Sequence, residues 1–203
     1  MAHAWKDALL VYLAAPETHN EVVFFDDSVV VVRDKYPKAK LHLLVVPRTP
    51  MPFGVASLTK EHVPLLQHMA SVVDGLAVAE DVRLGFHAVP SMRQLHLHVI
   101  STDLMSPALK KKEHWNSFTT SFFKPLVWVL DSLENADMIH IDEADEAAKL
   151  KRPLACHKCH TDFSTLPKLK QHLEKYHPPS DSKRRLTQIP EAPLPKRSKV
   201  ANN

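Results

Sequence analysis

The sequence predicts an α+β fold, an antiparallel sheet with flanking helices that carries a small metal-binding module near its C-terminal end. Three observations lead there. Short apolar, β-branched runs recur between Val22 and Ser101 with turn signals between them, at spacings too short for parallel crossovers. One long amphipathic stretch, Ser57 to Val78, interrupts them. Further on, Cys156, Cys159, His172 and His177 stand in a C-x2-C-x12-H-x4-H spacing, the pattern of Cys2His2 zinc modules.

Each element has its own warrant. Trp5, Ala8, Leu9, Tyr12 and Leu13 fall on one face at helical spacing, and Pro16 ends that helix. Val22–Phe25 and Val29–Arg33 flank Asp26-Asp27-Ser28 and read as a hairpin. A turn around Tyr36-Pro37 leads into a strand from Leu41 to Val46, stopped by Pro47. A loop with Pro47, Pro50 and Pro52 precedes the Ser57–Val78 helix, which has Ser57 or Thr59 as its N-cap and Leu65, Leu66, Met69, Val72 and Val73 as its apolar stripe. Val82–Val89 and Gln94–Ser101 are two further strands joined through Pro90-Ser91-Met92-Arg93. Asp131–Glu146, with seven acidic residues, reads as a solvated helix or connector.

Composition narrows the function classes. A chain of 203 residues with 44% hydrophobic content can bury one ordinary core. Three glycines make a glycine-rich phosphate loop a poor expectation, and two cysteines are too few for a disulfide scaffold. No apolar run is long enough to span a membrane and no signal peptide opens the chain, so a soluble intracellular protein without membrane association is expected. The net charge of +3 hides a gradient: residues 1–148 carry 13 basic and 19 acidic side chains, residues 149–203 carry 13 and 4. A basic C-terminal third on an acidic body points to nucleic acid as the partner, the alternative being a solvated tail. Lys183-Arg184-Arg185 and Lys196-Arg197-Ser198-Lys199, in a proline-rich segment read as disordered, have the form of a bipartite nuclear localisation signal.

The 14 histidines call for explanation. His172 and His177 join Cys156 and Cys159 as ligands of one Zn2+, a helix bringing the two histidines together about a turn apart. A module of this size cannot fold on its own few apolar residues, so the metal supplies much of its folding energy. His157 and His160 read as exposed neighbours. Residues 154–178 resemble a C2H2 finger, and that resemblance implies phosphate contacts from Lys168, Lys170 and Lys175 of the helix and non-specific duplex anchoring. In Leu95-His96-Leu97-His98-Val99-Ile100-Ser101 the period of two places Gln94, His96 and His98 on one face and Leu95, Leu97 and Val99 on the other. On spacing alone, the histidine pair reads either as part of a metal site lacking its remaining ligands or as a surface pair without a role.

Leu84 to Ser101, together with Asp34 to His42 upstream and Lys110 to Phe118 downstream, resembles the histidine-triad (HIT) domain of the aprataxin family. The finger follows where that family places its own. The resemblance covers residues 3–178 and implies a HIT-like sheet at 1–130, a connector with an acidic helix at 131–153, the finger at 154–178 and the basic tail at 179–203. It implies an enzyme that hydrolyses DNA 5′-adenylates, the products of abortive ligation. His96 is then the nucleophile that forms a covalent His–AMP, and water releases AMP. His98 and His42 donate to phosphoryl oxygens, and no catalytic metal is expected. His87 and Ser91 contact substrate phosphates, Lys38 lies near the active site, Asp26 lines the nucleoside pocket and Leu9 faces the adenine. Trp5 stacks on the terminal base pair of the DNA, core packing being its alternative reading. Lys110, Lys111 and Lys112 supply a basic field, and Met92, Gln94, His114 and Trp115 complete the substrate-facing set. The expected partner is nicked or double-stranded DNA bound by a monomer, and no phosphopeptide-binding module is expected ahead of the domain. Two positions depart from the family: Gln94 stands where the first triad histidine would be, so an orienting role is expected there, and Glu113 interrupts the basic run. Two other functions remain open, a nucleotide phosphoramidase or dinucleotide hydrolase, and a non-catalytic zinc-finger DNA-binding protein.

Overall fold

The computed structural model describes residues 5–51, 54–76, 78 and 81–178. The expected tail with its two basic clusters lies outside the described residues. Trp5 to Leu10 form turns, and only the last turn of the expected N-terminal helix is helical, α1 (Val11–Ala14). So short a segment gains little from helix propagation. It is instead tied down from outside: the Arg93 N–H donates to the Lys6 carbonyl at 2.9 Å and the Arg93 guanidinium pairs with Asp7 at 3.0 Å.

The hairpin forms as expected, β1 (Val22–Phe25) and β2 (Val29–Arg33), its turn held by Asp26 Oδ1, which accepts from the Ser28 and Val29 N–H groups. β3 (His42–Pro47) follows. The expected helix from Ser57 starts late: two 3-10 turns, Val55–Ser57 and Lys60–His62, precede α2 (Val63–Gly75). Pro64 sits in the first turn of α2, where its missing N–H costs nothing and its fixed φ favours a helix start. β4 (Val82–His87) and β5 (Leu97–Ser101) are shorter than the apolar patterns from which they were expected. Beyond them come α3 (Lys112–Thr119), β6 (Phe123–Pro125), α4 (Leu126–Asn135), α5 (Glu143–Leu150), a small β7 (Leu154–Ala155) and β8 (Asp162–Phe163) ribbon, and α6 (Leu166–Tyr176).

Six strands form one sheet in the order β1-β2-β3-β5-β4-β6, every neighbour antiparallel. Directly paired residues share a face. Val29, Val31, Leu43, Val45, Leu97 and Val99 face one side, where Leu66, Met69 and Val73 of α2 and Val129 and Leu133 of α4 cover them. The other side is covered at its two ends only. Leu9 packs on Val30, Val32, Leu44 and Val46 at one end. At the other end Ile100 joins Trp115 and Phe118 of α3, Phe123 of β6 and Leu166, Leu169 and Leu173 of α6. The register puts Leu44 opposite His98 and His42 opposite Ile100, so the histidines emerge on this face, between the two apolar clusters.

The segment 131–153 is more than a solvated connector. Leu133 and Ile139 are buried in the main core, and Glu146 is buried between Lys124 at 2.6 Å and Lys149 at 2.9 Å. A buried carboxylate is tolerable only with such partners. The finger is likewise no separate bead, because its leucines and Cys156 share one core with α3. No described helix is long and apolar enough to cross a membrane.

Candidate active site

Four buried or nearly buried imidazoles lie together on the sheet face between the two apolar clusters. The alternation along the histidine strand sends His96 and His98 to that side, and both are buried. β3 supplies His42, and β4 supplies His87, whose ring lies 4.4 Å from that of His98, centroid to centroid. Gly85, paired with His98, has no Cβ because one would lie 2.5 Å from the Phe123 ring and 2.5 Å from the Lys124 carbonyl.

Hydrogen bonds fix the protons. The Lys38 N–H donates to His42 Nδ1 at 3.2 Å, so neutral His42 carries its hydrogen on Nε2. That Nε2 lies 3.0 Å from His98 Nδ1 and donates to it. His98 therefore carries its hydrogen on Nε2, which is buried with no partner among the described residues. His96 Nδ1–H donates to the Gln94 carbonyl at 2.8 Å, leaving Nε2 with its lone pair. The pairing depends on neutral rings, and burial supplies that condition. It pushes the His42 pKa down to about 4, and lowers His96, His98 and His87 as well, with the neighbouring imidazoles adding to the effect on His42, His87 and His98. His87 Nε2 and His114 Nδ1 are also buried without a described partner. Unsatisfied polar atoms converging on one place suit a polar ligand rather than a packed core. A small cavity is bounded by His96 and His87 together with Gly54, Phe86, Pro90 and Leu95.

Several expected site residues hold other positions. Gln94 is buried, and its amide is committed: Nε2 donates to the Pro47 and Thr49 carbonyls at 2.8 and 2.9 Å and Oε1 accepts from the Met51 N–H at 3.3 Å. It orients the strand entry and has no amide donor left for a substrate. Trp115 does not face substrate, because its ring is fully buried and its Nε1–H donates to the Ala155 carbonyl at 3.0 Å, pinning the finger to α3. Leu9 is covered by the sheet valines, not open to a base, and Met92 packs against the same cluster. Asp26 is held in its own turn and by His68 Nε2 at 2.7 Å. Burial alone would raise its carboxyl pKa, but the Val29 and Ser28 N–H groups and His68 bring it below the usual range. Lys112 Nζ donates to the Lys151 carbonyl, while Lys110 and Ser91 are exposed. Trp5 is exposed, not part of the core, with the Lys6 ammonium 5.8 Å from its ring centre. Lys38 and His114 do border the histidines: Lys38 depresses the pKa of His42, His87, His98 and His114.

Residues that sequence reasoning passed over also belong to this site. Asp34 Oδ2 lies 3.7 Å from His42 Nδ1. Tyr36, 63% exposed, carries Lys35 at 5.9 Å from its ring centre beside the Lys38 turn. The phenylalanines of α3 and β6 line the floor under the rings. The signal for Asp34 was its place at the head of the Asp34–His42 turn segment. Nothing in the periodicity marks the phenylalanines.

In the finger, one ligand atom from each of Cys156, Cys159, His172 and His177 lies within 4.8 Å of the others. His177 Nε2 is buried without a described partner, and Cys159 Sγ lies 3.2 Å from His172 Nε2, so the donors converge as tetrahedral zinc requires. The two histidines are not both helical. Five residues correspond to about 140° around an α-helix, so a continuous helix would turn them apart. α6 stops at Tyr176, and His177, at φ −136° and ψ 49°, swings its ring back. His157 is no exposed neighbour: its Nε2–H donates to the Thr102 carbonyl at 3.0 Å and its ring packs on Trp115. His160 is exposed and takes φ 60° at the tight knuckle. Lys170 does not face outward, since its ammonium donates to the Ser106 and Leu109 carbonyls, bolting α6 to the body.

Comparison with known proteins agrees with both parts. The family described as scavenger mRNA decapping enzyme C-terminal binding matches residues 9–114, and the C2HE / C2H2 / C2HC zinc-binding finger matches residues 119–177. The second match begins inside α3, as the shared core would suggest. Zebrafish (Danio rerio) aprataxin is 44% identical over 180 residues, 86% of this chain and 54% of that protein. The aprataxin-like protein of Schizosaccharomyces pombe is 32% identical over 195 residues, 85% of this chain and 81% of that protein. The crystal structure of the aprataxin ortholog Hnt3 in complex with DNA superposes with a TM-score of 0.73 at 32% identity, covering 84% of this chain and 94% of that one. The chain spans about half the length of the zebrafish and chicken relatives it matches. With a histidine-triad sheet and a zinc-binding finger built on one core, the chain belongs to the aprataxin family.

Proposed function

We propose that the protein removes AMP from 5′-adenylated DNA ends in two displacements at phosphorus. The observation that carries this reading is the proton arrangement of the cluster: His96 presents a bare Nε2, and His98 presents a buried Nε2–H with no acceptor among the described residues. His96 Nε2 attacks the α-phosphorus of the adenylate, a P–N bond forms, and the bond to the bridging oxygen breaks, so the DNA leaves with its 5′-phosphate. The Nδ1–H of His96, held by the Gln94 carbonyl, steadies the positive charge that the ring acquires. His98 Nε2–H is placed to donate to a phosphoryl oxygen as its charge grows. His42 reaches the phosphoryl group through His98 rather than directly, because its own Nε2–H is committed to that ring. Water then attacks the same phosphorus, AMP departs and His96 is restored. These steps draw on no metal, although Asp34, His42 and His98 bring one ligand atom each to within 4.8 Å of one another.

The DNA part of the reading rests on the finger, the lysines and the exposed aromatics. Trp5 and Tyr36 are 55% and 63% exposed, each beside a lysine. Stacking on a terminal base is worth about 1–3 kcal/mol per base. Cys156, Cys159, His172 and His177 would hold Zn2+, which supplies folding energy to the finger and through the shared core to α3. Lys110, Lys168 and Lys175 remain exposed for phosphate, whereas Lys170 and Lys112 do not. The relative solved with DNA is consistent with such a face.

The test compares a 5′-adenylated nicked duplex with a free adenylated nucleotide, using the wild type and His96→Ala. AMP release from the duplex by the wild type, at much higher efficiency than from the free nucleotide and lost in His96→Ala, is expected. No release from the duplex contradicts the reading, and equal efficiency on both substrates favours a free-nucleotide hydrolase.

A further inference from the structure

We propose that Phe118 is a positioning residue: one ring, presented by the finger-braced helix α3, holds His42, His87 and His98 in their relative orientation. The proposal deepens the reading given above for the same site. Its geometry is independent of the substrate. The Phe118 ring centre lies 5.5 Å from that of His42 at an interplanar angle of 90°, 5.3 Å from His98 at 87° and 4.7 Å from His87 at 56°. Near-perpendicular contacts at this distance are the preferred packing of aromatic rings, positive edge against negative face. Three imidazoles thus meet one phenyl ring.

Phe118 is itself over-determined. It is 2% exposed, its carbonyl accepts from Arg83 Nη1 at 2.6 Å, and its ring packs at 5.8 Å on Phe123. Arg83 in turn stacks 4.5 Å above Phe123, which occupies the space that a side chain on Gly85 would fill. One turn earlier on α3, Trp115 bonds to Ala155 and Asn116 to the Leu150 and Arg152 carbonyls. Helix α3 is therefore fastened to the finger and to the end of α5 while its last turn faces the histidines.

Leucine at 118 would keep the apolar volume roughly but present no flat surface to three rings. His98 would then be free to turn away from His42 and so lose the Nε2–H direction on which the donor depends. Loss of the ring also admits water. The charged and titratable groups facing the cluster are Asp34, Lys38, His96 and His114. With Lys38 and the neighbouring imidazoles unfavourable to further charge, burial is the main reason these rings stay neutral, and the phenyl ring is part of that burial.

The test is nitrogen-detected NMR of histidine tautomers across a pH titration, on the full zinc-loaded chain without substrate, so that its outcome is separate from that of the adenylate assay. In the wild type, His42 and His98 are expected as Nε2–H tautomers, with ring protons of His42, His87 and His98 displaced by the ring current of Phe118. Phe118→Leu is expected to mix the tautomers of His98 and to bring its titration closer to ordinary histidine values. Phe118→Tyr, which keeps the ring, should restore the wild-type pattern. On the duplex substrate, Phe118→Leu should lower kcat about tenfold or more with KM within about twofold, whereas Leu133→Ala, a core truncation in α4 on the opposite face, should leave kcat and the tautomers unchanged. A folded Phe118→Leu protein with wild-type tautomers and titration overturns the proposal. If that variant does not fold, wild-type spectra lacking the ring-current displacements overturn it, and spectra showing them support it.

Discussion

Two groups of histidines in this chain show how one side chain is directed to different chemistry. On the sheet face, His42 bonds to His98 and His96 to the backbone, His87 packs its ring on His98, and burial keeps them neutral. In the finger, His172 and His177 point their nitrogens toward two cysteines and a common centre. The difference lies in the backbone. A period-two strand delivers His96 and His98 to one side of a sheet, where His42 and His87 of the neighbouring strands join them, while both cysteines of the chain lie in the finger. A helix that ends one residue before His177 brings two imidazoles onto a knuckle of thiols. The groups are also joined, because α3 packs Trp115 against the finger and Phe118 against the sheet histidines.

If the two groups differ in this way, losing a histidine from each should fail differently. His98→Ala removes the donor at the phosphoryl oxygen, and turnover should fall about 10²–10⁴-fold while the Tm changes by only a few degrees. His172→Ala removes a zinc ligand and should cost several kcal/mol of stability, a Tm loss of about 10 °C or more by calorimetry, together with stoichiometric loss of bound zinc. Loss of folding in His98→Ala and its retention in His172→Ala would reverse the contrast.

Acid should separate the groups next. The His42 pKa is near 4 in the folded chain against 6.5 in the unfolded one, so the unfolded chain binds more protons between these values. The stability that His42 contributes is fully present above about pH 6.5 and is lost as pH falls through 4. The magnitude is about 3 kcal/mol for this group, to be read from denaturant melts of the wild type against His42→Gln. A variant with an unaltered acid slope would contradict neutral burial of His42. Smaller still, Gln94→His should lower stability by about 1–3 kcal/mol without raising turnover, because neutral imidazole has one donor and one acceptor in place of an amide that donates twice and accepts once. Much faster turnover would show that the position wants a proton carrier. Trp115→Phe, which keeps the ring and loses the bond to Ala155, should cost about 1 kcal/mol in thermal melts.

The sheet was legible from sequence as short apolar runs bounded by turn residues, as at Val29–Arg33, where both faces are buried, and through the polar and apolar alternation of Gln94–Ser101. The finger was legible because metal geometry constrains spacing. What escaped was whatever depends on contacts distant in the chain. The N-terminal segment had helical periodicity, but its conformation is set by Arg93, 86 residues away from Asp7. Trp115 and Lys170 had the composition of nucleic-acid contacts and are instead fastened between body and finger. The acidic run from Asp131 to Glu146 looked solvated because Lys124 and Lys149, which pair with Glu146, are not apparent as its neighbours until β6 and α5 are in place. Within the candidate site, His42, His96 and His98 were legible through their motif and Asp34 through the turn it shares with His42, whereas Phe118 follows only from the docking of α3.

The proposed reaction places the adenylyl group on His96 Nε2 between the two displacements. Its most direct measurement is a rapid alkaline quench of the zinc-loaded chain with a 5′-adenylated nicked duplex, followed by peptide mass spectrometry. One adenylyl group on the peptide containing His96, building up in His98→Ala and missing from His96→Ala, is the predicted result. AMP release by the wild type with no adenylylated His96 at any quench time would contradict the account.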